Sequence, residues 1–379
     1  MKKLRKTGIA ELPLHEGKAP KWLIIRMKSL GEQICQIIIR DFGYKELLSR
    51  LSNPFWFQSF GCILGYDWHS SGVTTVVTGV LKNVLNIEDF GVAIAGGKGK
   101  ISRKTPEEIS LIASKANISN SKINELIRAS RLSAKVDNSV LQDGHQLYHH
   151  VFILTEKGEW AVIQQGMNIF EKTARRYHWL GEKVESFVVE PHSGIISDKK
   201  LPYVLNMTSK ESEEARKCSV DIACEKPSKI IRLFNEALKN QKSLDEWIES
   251  TKEENLKFKL KGIPEYLKMP HKVNWAILKK VYEFQPKNYE QLIEIRGLGQ
   301  ATIRGLALIS ALIYGYTPNL KDPVRFSFAY GGKDGVPFPV DIKAMDESIS
   351  FLKQVLEASE INKEEKIEAF RRLKNLINY

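Results

Sequence analysis

The chain has 379 residues, and 57 Lys and Arg against 45 Asp and Glu give it a formal net charge of +12. The length is enough for two or three domains, and the basic excess is typical of proteins that meet nucleic acid. The four cysteines lie too far apart, or at the wrong spacing, for a CxxC zinc or redox motif, and so few in a chain of this length do not indicate a disulfide scaffold. No apolar run reaches the ~20 residues needed to span a bilayer, so we expect a cytoplasmic protein with no membrane partner.

The N-terminal region, residues 1–130, is predicted to be mainly helical. Residues 73–85 form a helical pattern, although their β-branched run would equally suit a strand. A glycine-lysine loop precedes a helix start at Thr105-Pro106. Its four cations are predicted DNA contacts, and a solvated loop is the alternative interpretation: Lys98, Lys100, Arg103 and Lys104.

Residues 131–226 are predicted to form a small β-rich domain. Two apolar runs, 149–155 and 159–165, flank a glycine turn and indicate a hairpin, and residues 185–190 are a third strand candidate. Helical patterns resume over residues 227–379. The predicted fold class is therefore α+β, with mainly helical N- and C-terminal regions and a β-rich middle.

Residues 288–315 indicate two helices joined by a turn with two glycines. Asn288 can cap the first helix and Gln291 occupies the reciprocal capping position. This stretch resembles the helix-hairpin-helix motif, which grips the DNA backbone without reading bases, and the alternative is an ordinary pair of packed helices. The resemblance implies these DNA-binding residues: Arg296, Gly297, Leu298, Gly299 and Gln300.

Histidines, carboxylates and arginines are concentrated in the β-rich middle. One interpretation is a site that cleaves phosphodiesters, with Asp143 and Glu190 as ligands for Mg²⁺ or Mn²⁺. The other is a structural network of paired polar side chains. No nucleotide or organic cofactor is indicated. The predicted catalytic residues are Asp143, His149, Gln164, Arg176, His178 and Glu190.

Most of the chain resembles an uncharacterised archaeal and bacterial family, domain of unknown function family 763, which implies no activity. The matching stretches are residues 7–15, 67–72, 95–100, 142–144, 175–179 and 331–335.

A second resemblance is to the helix-hairpin-helix DNA glycosylases, which place a Pro-Val-Asp after the hairpin. It implies an alternative catalytic role for Asp341 in Pro339-Val340-Asp341. Here the gap after the hairpin is longer than in that family, and Ala301 occupies the position of its lyase lysine. Lys333 lies near aromatic residues, a pattern that suits nucleic-acid stacking and charge contacts, although core packing explains the aromatic residues as well.

These patterns together predict a DNA-processing protein. We expect a DNA repair nuclease whose hairpin holds the backbone and whose middle domain cleaves it. The alternatives are a glycosylase and a non-enzymatic DNA-binding protein. RNA is an alternative partner because it shares the phosphates, and the sequence does not indicate an oligomeric state.

Overall fold

A computed structural model describes residues 20–66, 72–171, 173–197, 200–239, 264–324, 326–327 and 342–377. The fold is α+β, as the sequence predicts, with helices toward both ends of the chain and a small central sheet that is mainly antiparallel. Within these ranges, no helix combines the length and the apolar character that crossing a membrane requires.

The N-terminal region is helical. Gly43, with a φ of +85°, separates its first two helices, and the side chain of Asn53 caps the third by accepting hydrogen bonds from the amides of Phe55 and Trp56. The helices are α1 (Lys21–Phe42), α2 (Tyr44–Leu51), α3 (Pro54–Ile63), α4 (Gly72–Val84), α5 (Ile87–Phe90), α6 (Thr105–Lys115) and α7 (Asn120–Lys135).

Six strands in the described residues form the main sheet, in the order β1-β3-β4-β5-β6-β8. Neighbouring strands are antiparallel except for β6 and β8, which are parallel. A separate pair consists of β2 and β7. The strands are β1 (Val92–Lys98), β2 (Leu141–Gln142), β3 (Gln146–Thr155), β4 (Trp160–Asn168), β5 (Thr173–Leu180), β6 (Gly194–Ser197), β7 (Leu205–Asn206) and β8 (Phe326–Ser327).

The predicted hairpin is confirmed as β3 and β4. The strand predicted over residues 185–190 is wrong, because turns and bends occupy that stretch. The strand next to β4 is instead β5, which carries buried polar side chains on both faces and therefore lacks the apolar alternation of a typical strand.

The C-terminal region is again mainly helical. Its helices are α8 (Glu213–Ala223), α9 (Pro227–Lys239), α10 (Trp275–Phe284), α11 (Tyr289–Glu294), α12 (Gln300–Tyr314), α13 (Ile342–Ala358) and α14 (Lys363–Ile377). Helices α11 and α12 with the turn between them occupy the stretch that resembles a helix-hairpin-helix.

The main sheet separates two hydrophobic cores. Phe152 and Val162 pack on one face with residues of α6 to α12, whereas Val151 and Ile163 pack on the other with residues of α1 to α4, α13 and α14. Alternation along β3 and β4 produces this division, because successive side chains point to opposite faces. Both cores draw residues from all three predicted ranges, 1–130, 131–226 and 227–379.

Candidate nucleic-acid interface

Several loops meet at one end of the main sheet, which we call the loop end. There β1 finishes opposite His149, near the start of β3, and β4 finishes at Asn168 opposite Thr173, the first residue of β5. Antiparallel pairing brings these strand ends together, so the connections that leave them lie side by side.

The first of these connections is the basic loop, residues 98–104, which follows β1. Its four cations, Lys98, Lys100, Arg103 and Lys104, are exposed, and none forms an ion pair with an acidic side chain among the described residues. The ammonium of Lys98 lies 5.8 Å from the ring centre of Tyr148 on β3. Unpaired cations on one short segment are well suited to phosphate.

The base of the basic loop is held firmly. Glu108 on α6 accepts hydrogen bonds from the amide of Gly96, at 2.7 Å, and from the ammonium of Lys82, at 2.6 Å. The same ammonium donates to the carbonyl oxygen of Gly96 at 2.7 Å. This closed set of bonds fixes the point from which the cations project.

The hairpin turn, residues 295–299, joins α11 to α12. Asn288 caps α11, accepting a hydrogen bond from the amide of Gln291 at 2.9 Å, as predicted. In the turn, Gly297 has a φ of +97°, the side chain of Leu298 is fully buried, and Gly299 is exposed. Leu298 thus anchors the turn, while the glycines on either side carry no side chain that would cover the turn from solvent.

The start of α12 has unsatisfied donors. Gly299 occupies the cap position, and no side chain of the described residues caps this helix. The amides of Gln300 and Ala301 donate no hydrogen bond to any described residue. Arg296 is exposed in the same turn. Open amides beside a cation form the kind of anion site that helix N-termini provide.

The hairpin turn docks at the loop end of the sheet. Lys135 donates a hydrogen bond to the carbonyl of Leu298, and the Gln142 side chain donates to that of Gln300 at 3.0 Å. Gln300 donates in turn to the carbonyl of Asn138, whose side chain accepts from the amide of Leu147 at 3.4 Å. Leu147 is the second residue of β3, where the pairing with β4 begins. The hairpin turn and the basic loop therefore both approach the loop end of the sheet.

The predicted catalytic residues are divided between the two faces of the sheet. His149, Arg176 and His178 face α2, α3 and α4, as their contacts with Thr78, Gln58 and the backbone of Leu51 show. Gln164 faces α7. The structure therefore does not bring the six residues into one site, and a catalytic role for them stays a prediction.

Arg176 and His178 form a buried network on the first face. The Arg176 guanidinium donates to the Gln58 side chain and to Nε2 of His178, both at 2.9 Å, while Nδ1 of His178 donates to the carbonyl of Leu51. Burial lowers the pKa of Arg176 to about 9. Burial and the neighbouring Arg176 charge hold the pKa of His178 well below its ordinary value.

His149 differs from the other histidines of the sheet. Its Nε2 lies 3.0 Å from Oγ1 of Thr78, whose hydroxyl proton is already donated to the carbonyl of Thr74, so His149 acts as the donor there. Its Nδ1 is buried and has no hydrogen-bond partner among the residues that the structure describes. Burial, with smaller effects of His150 and Lys98, lowers its pKa to about 3, which leaves a neutral ring with a free lone pair.

Gln164 takes part in a network on the second face. It accepts a hydrogen bond from Nδ1 of His150 at 2.8 Å and donates to Asp137 at 2.5 Å. Nε2 of His150 lies 2.9 Å from Oγ of Ser130, so the second ring nitrogen also has a hydrogen-bond partner. Asp137 also accepts from Trp179 at 2.9 Å. These bonds satisfy the polar atoms of Gln164 and His150 inside the core.

Asp143 is a structural centre of the turn before β3. Its carboxylate accepts hydrogen bonds from Arg175 at 2.9 Å, Tyr177 at 2.8 Å and the amide of His145 at 2.9 Å. Burial raises the pKa of this carboxyl, but the charges of Arg175 and His145 outweigh burial and hold the pKa below its ordinary value. Asp322 binds the same guanidinium at 2.9 Å.

The two carboxylates predicted to bind a metal have separate partners. Glu190 is exposed and pairs with Lys210 at 3.4 Å, whereas the oxygens of Asp143 are engaged inside the core. The part of the chain that the structure describes contains no group of three or more His, Cys, Asp or Glu placed to hold a metal ion. These residues do not fit a divalent metal site.

Two other predicted residues, Lys333 and the alternative catalytic Asp341, lie outside the described residues. The sequence reasoning missed Lys135, Gln142 and Tyr148, which connect the hairpin turn and the basic loop to the sheet. No local pattern marks the first two, because their partners in the hairpin lie far away along the chain.

A family model described as Protein of unknown function (DUF763) matches residues 8–340. The chain belongs to this family. The match includes the basic loop, the sheet and the hairpin turn, so the whole loop end lies within the DUF763 range, and α13 and α14 follow it. No curated protein and no solved structure matches the chain.

Proposed function

We propose that this DUF763 chain binds the nucleic-acid backbone at the loop end of its sheet and acts in DNA processing, with repair as the setting. One observation carries the proposal: two surfaces suited to phosphate, distant in sequence, lie at the same end of one sheet. These are the basic loop and the hairpin turn.

The two surfaces supply complementary contacts. The hairpin turn offers open amides at the start of α12 together with Arg296, and the basic loop offers four cations that have no ion-pair partner in the described parts of the chain. Both kinds of group bind phosphate and neither reads a base edge. The proposal therefore implies binding that depends little on sequence and strongly on salt. RNA presents the same phosphates and is the competing ligand.

Gly299→Asp tests the hairpin directly. Asp is a good capping residue, so the variant should fold at least as stably as the wild type, but its carboxylate occupies the open amides and repels phosphate. We expect about tenfold weaker binding, or ~1.4 kcal/mol. Fluorescence anisotropy with labelled single-stranded and duplex DNA measures the affinity, and thermal unfolding checks the fold.

Ser119→Asp is the matched control. Ser119 caps α7, whose 16 residues place it roughly 24 Å from the loop end. The control makes the same charge change at the same kind of helix position, and its DNA affinity should equal that of the wild type. Equal affinities for the two variants would refute the hairpin as the binding surface.

Strand cleavage is the second candidate function, and His149 favours it. It is the predicted catalytic histidine with an unused ring nitrogen, and its β1 neighbour Lys98 belongs to the basic loop. Its low pKa makes the ring a weak base in the free protein, and a phosphate anion bound nearby would raise that pKa. A general base has to come within hydrogen-bond reach of the attacking nucleophile, so the buried Nδ1 of His149 would have to become accessible when nucleic acid binds.

His149→Gln and His150→Gln separate this role from structure. Both ring nitrogens of His150 have partners in the core, so its variant should lose stability and keep any cleavage, whereas His149→Gln should keep binding and lose cleavage. The assay uses end-labelled single-stranded, duplex, flapped and base-damaged DNA with Mg²⁺, with Mn²⁺ and with EDTA. DNA that is bound but uncut under every condition would leave binding as the function.

A cytoplasmic place of action accords with this proposal. All four cysteines are free. Cys35, Cys62 and Cys218 are buried, and Cys224 is half-buried. Unpaired thiols persist in a reducing compartment. Labelling of all four thiols in protein taken directly from cells, after denaturation, tests this part of the proposal.

A further inference from the structure

An apolar tip projects from the loop end of the sheet. The connection between β4 and β5 presents Ile169, which is 68% exposed, and Phe170, which is 99% exposed. Phe170 is the most exposed large apolar side chain among the described residues. We call these two residues the tip.

The tip is held by an ordered turn. The side chain of Asn168 accepts hydrogen bonds from the amides of Phe170 and Glu171, both at 3.1 Å. Below it, Nε2 of His145 lies 3.1 Å from Oγ1 of Thr173, at the first residue of β5. Because both strands are paired up to the turn, the aromatic ring is presented from a firm base.

The tip lies close to both phosphate-binding surfaces. Strands β1 and β4 are two strand spacings apart, or about 10 Å, and Lys98 lies level with Gln165, three residues or about 10 Å before the end of β4 at Asn168. The basic loop therefore begins about 14 Å from the base of the tip, within reach of one short stretch of single strand. On the other side, Gly144 approaches Asn168, since a Cβ on this glycine would lie 3.1 Å from the Asn168 side-chain nitrogen. Gly144 is two residues from Gln142, which contacts the first residue of α12.

We infer that the tip stacks on unpaired bases, and that the substrate class is nucleic acid with a single-stranded segment or a junction. The inference rests on the proposed function and deepens it. Every base has a π-face, so an aromatic side chain beside phosphate contacts binds single strands with little sequence preference. Two side chains are far too small an apolar area for a stable protein interface, which buries at least roughly 1,200 Å².

Phe170→Ala tests the inference. We expect its affinity for single-stranded DNA to fall about tenfold while its affinity for duplex DNA stays the same. The salt dependence should not change, because no cation is removed. Phe170→Trp should restore the affinity. A single-stranded probe containing 2-aminopurine should change its fluorescence on binding the wild type and Phe170→Trp, and much less on binding Phe170→Ala.

Phe284→Ala is the matched control, because Phe284 is 61% exposed at the C-terminal end of α10. It should bind both DNA forms like the wild type. If the chain binds DNA but Phe170→Ala binds single strands as tightly as the wild type, or loses duplex binding equally, the stacking inference is overturned and the proposed function stands. If the wild type binds no nucleic acid, both are overturned.

Discussion

Gly96 is the residue on which the shape of the basic loop depends most directly. Its φ is +94°, and a Cβ atom built on it would lie 2.3 Å from the backbone oxygen of His150 and 2.6 Å from Oγ1 of Thr105. The first of these atoms belongs to a paired strand and cannot move aside cheaply. We expect Gly96→Ala to lower the free energy of unfolding by about 3 kcal/mol, measured by urea denaturation.

Gly99 provides the comparison within the same loop. It also has a positive φ, +60°, but a Cβ atom there would meet no described residue within 4 Å. Gly99→Ala should therefore lower the free energy of unfolding only by the cost of holding alanine at a positive φ, about 1 kcal/mol. Equal losses for the two variants would show that close packing at Gly96 does not hold the loop.

Elements with a local signal could be predicted from the sequence, and elements without one could not. The capping bond between Asn288 and Gln291 spans three residues, and the start of α11 follows from it. By contrast, β5 is stabilised by Arg176 bonded to Gln58, 118 residues away, and Arg175 bonded to Asp322, 147 residues away. No window of sequence contains such partners, so the residues of this strand have the pattern of a polar cluster and not of a strand.

The basic loop as an element should contribute to the salt dependence of binding. Lys100→Gln with Lys104→Gln removes two exposed cations that have no ion-pair partner in the described residues. The slope of log affinity against log salt should become shallower by about 1.5, because each phosphate contact contributes roughly 0.7 to 0.9. Anisotropy titrations over a range of salt concentrations measure this slope.

A control for this charge change is available at the opposite end of the sheet. Lys157 lies in the turn between β3 and β4, and Lys183 follows the end of β5, and both are exposed. Lys157→Gln with Lys183→Gln removes the same charge, and its slope should match that of the wild type. A slope reduced equally in both double variants would mean that only net charge matters.

In the whole molecule, the sheet determines which predicted residues can act together. The basic loop and the hairpin turn were each recognisable from residue types and spacing, but only the strand pairing and the contacts of Gln300 and Asn138 bring them to one end. The same pairing separates His149 from Gln164, because their side chains point to opposite faces. Proximity in sequence was therefore a poor guide to the site.

The buried histidines of the sheet should make the stability of the whole fold sensitive to acid. Burial lowers the pKa of His149 to about 3 and that of His150 to about 4, and burial with the Arg176 charge holds that of His178 well below its ordinary value. In the unfolded chain each has an ordinary pKa of 6.5. The unfolded state thus binds more protons below pH 6.5, so stability is fully present above that pH and is lost as the pH falls.

For every pH unit below 6.5, each neutral histidine lowers the free energy of unfolding by up to about 1.4 kcal/mol. Urea denaturation above and below that pH measures this loss. His150→Gln should make the dependence shallower, since one proton-binding difference is removed. A free energy of unfolding that stays constant below pH 6.5 would contradict neutral burial of these rings, and with it the free lone pair on which the proposed role of His149 depends.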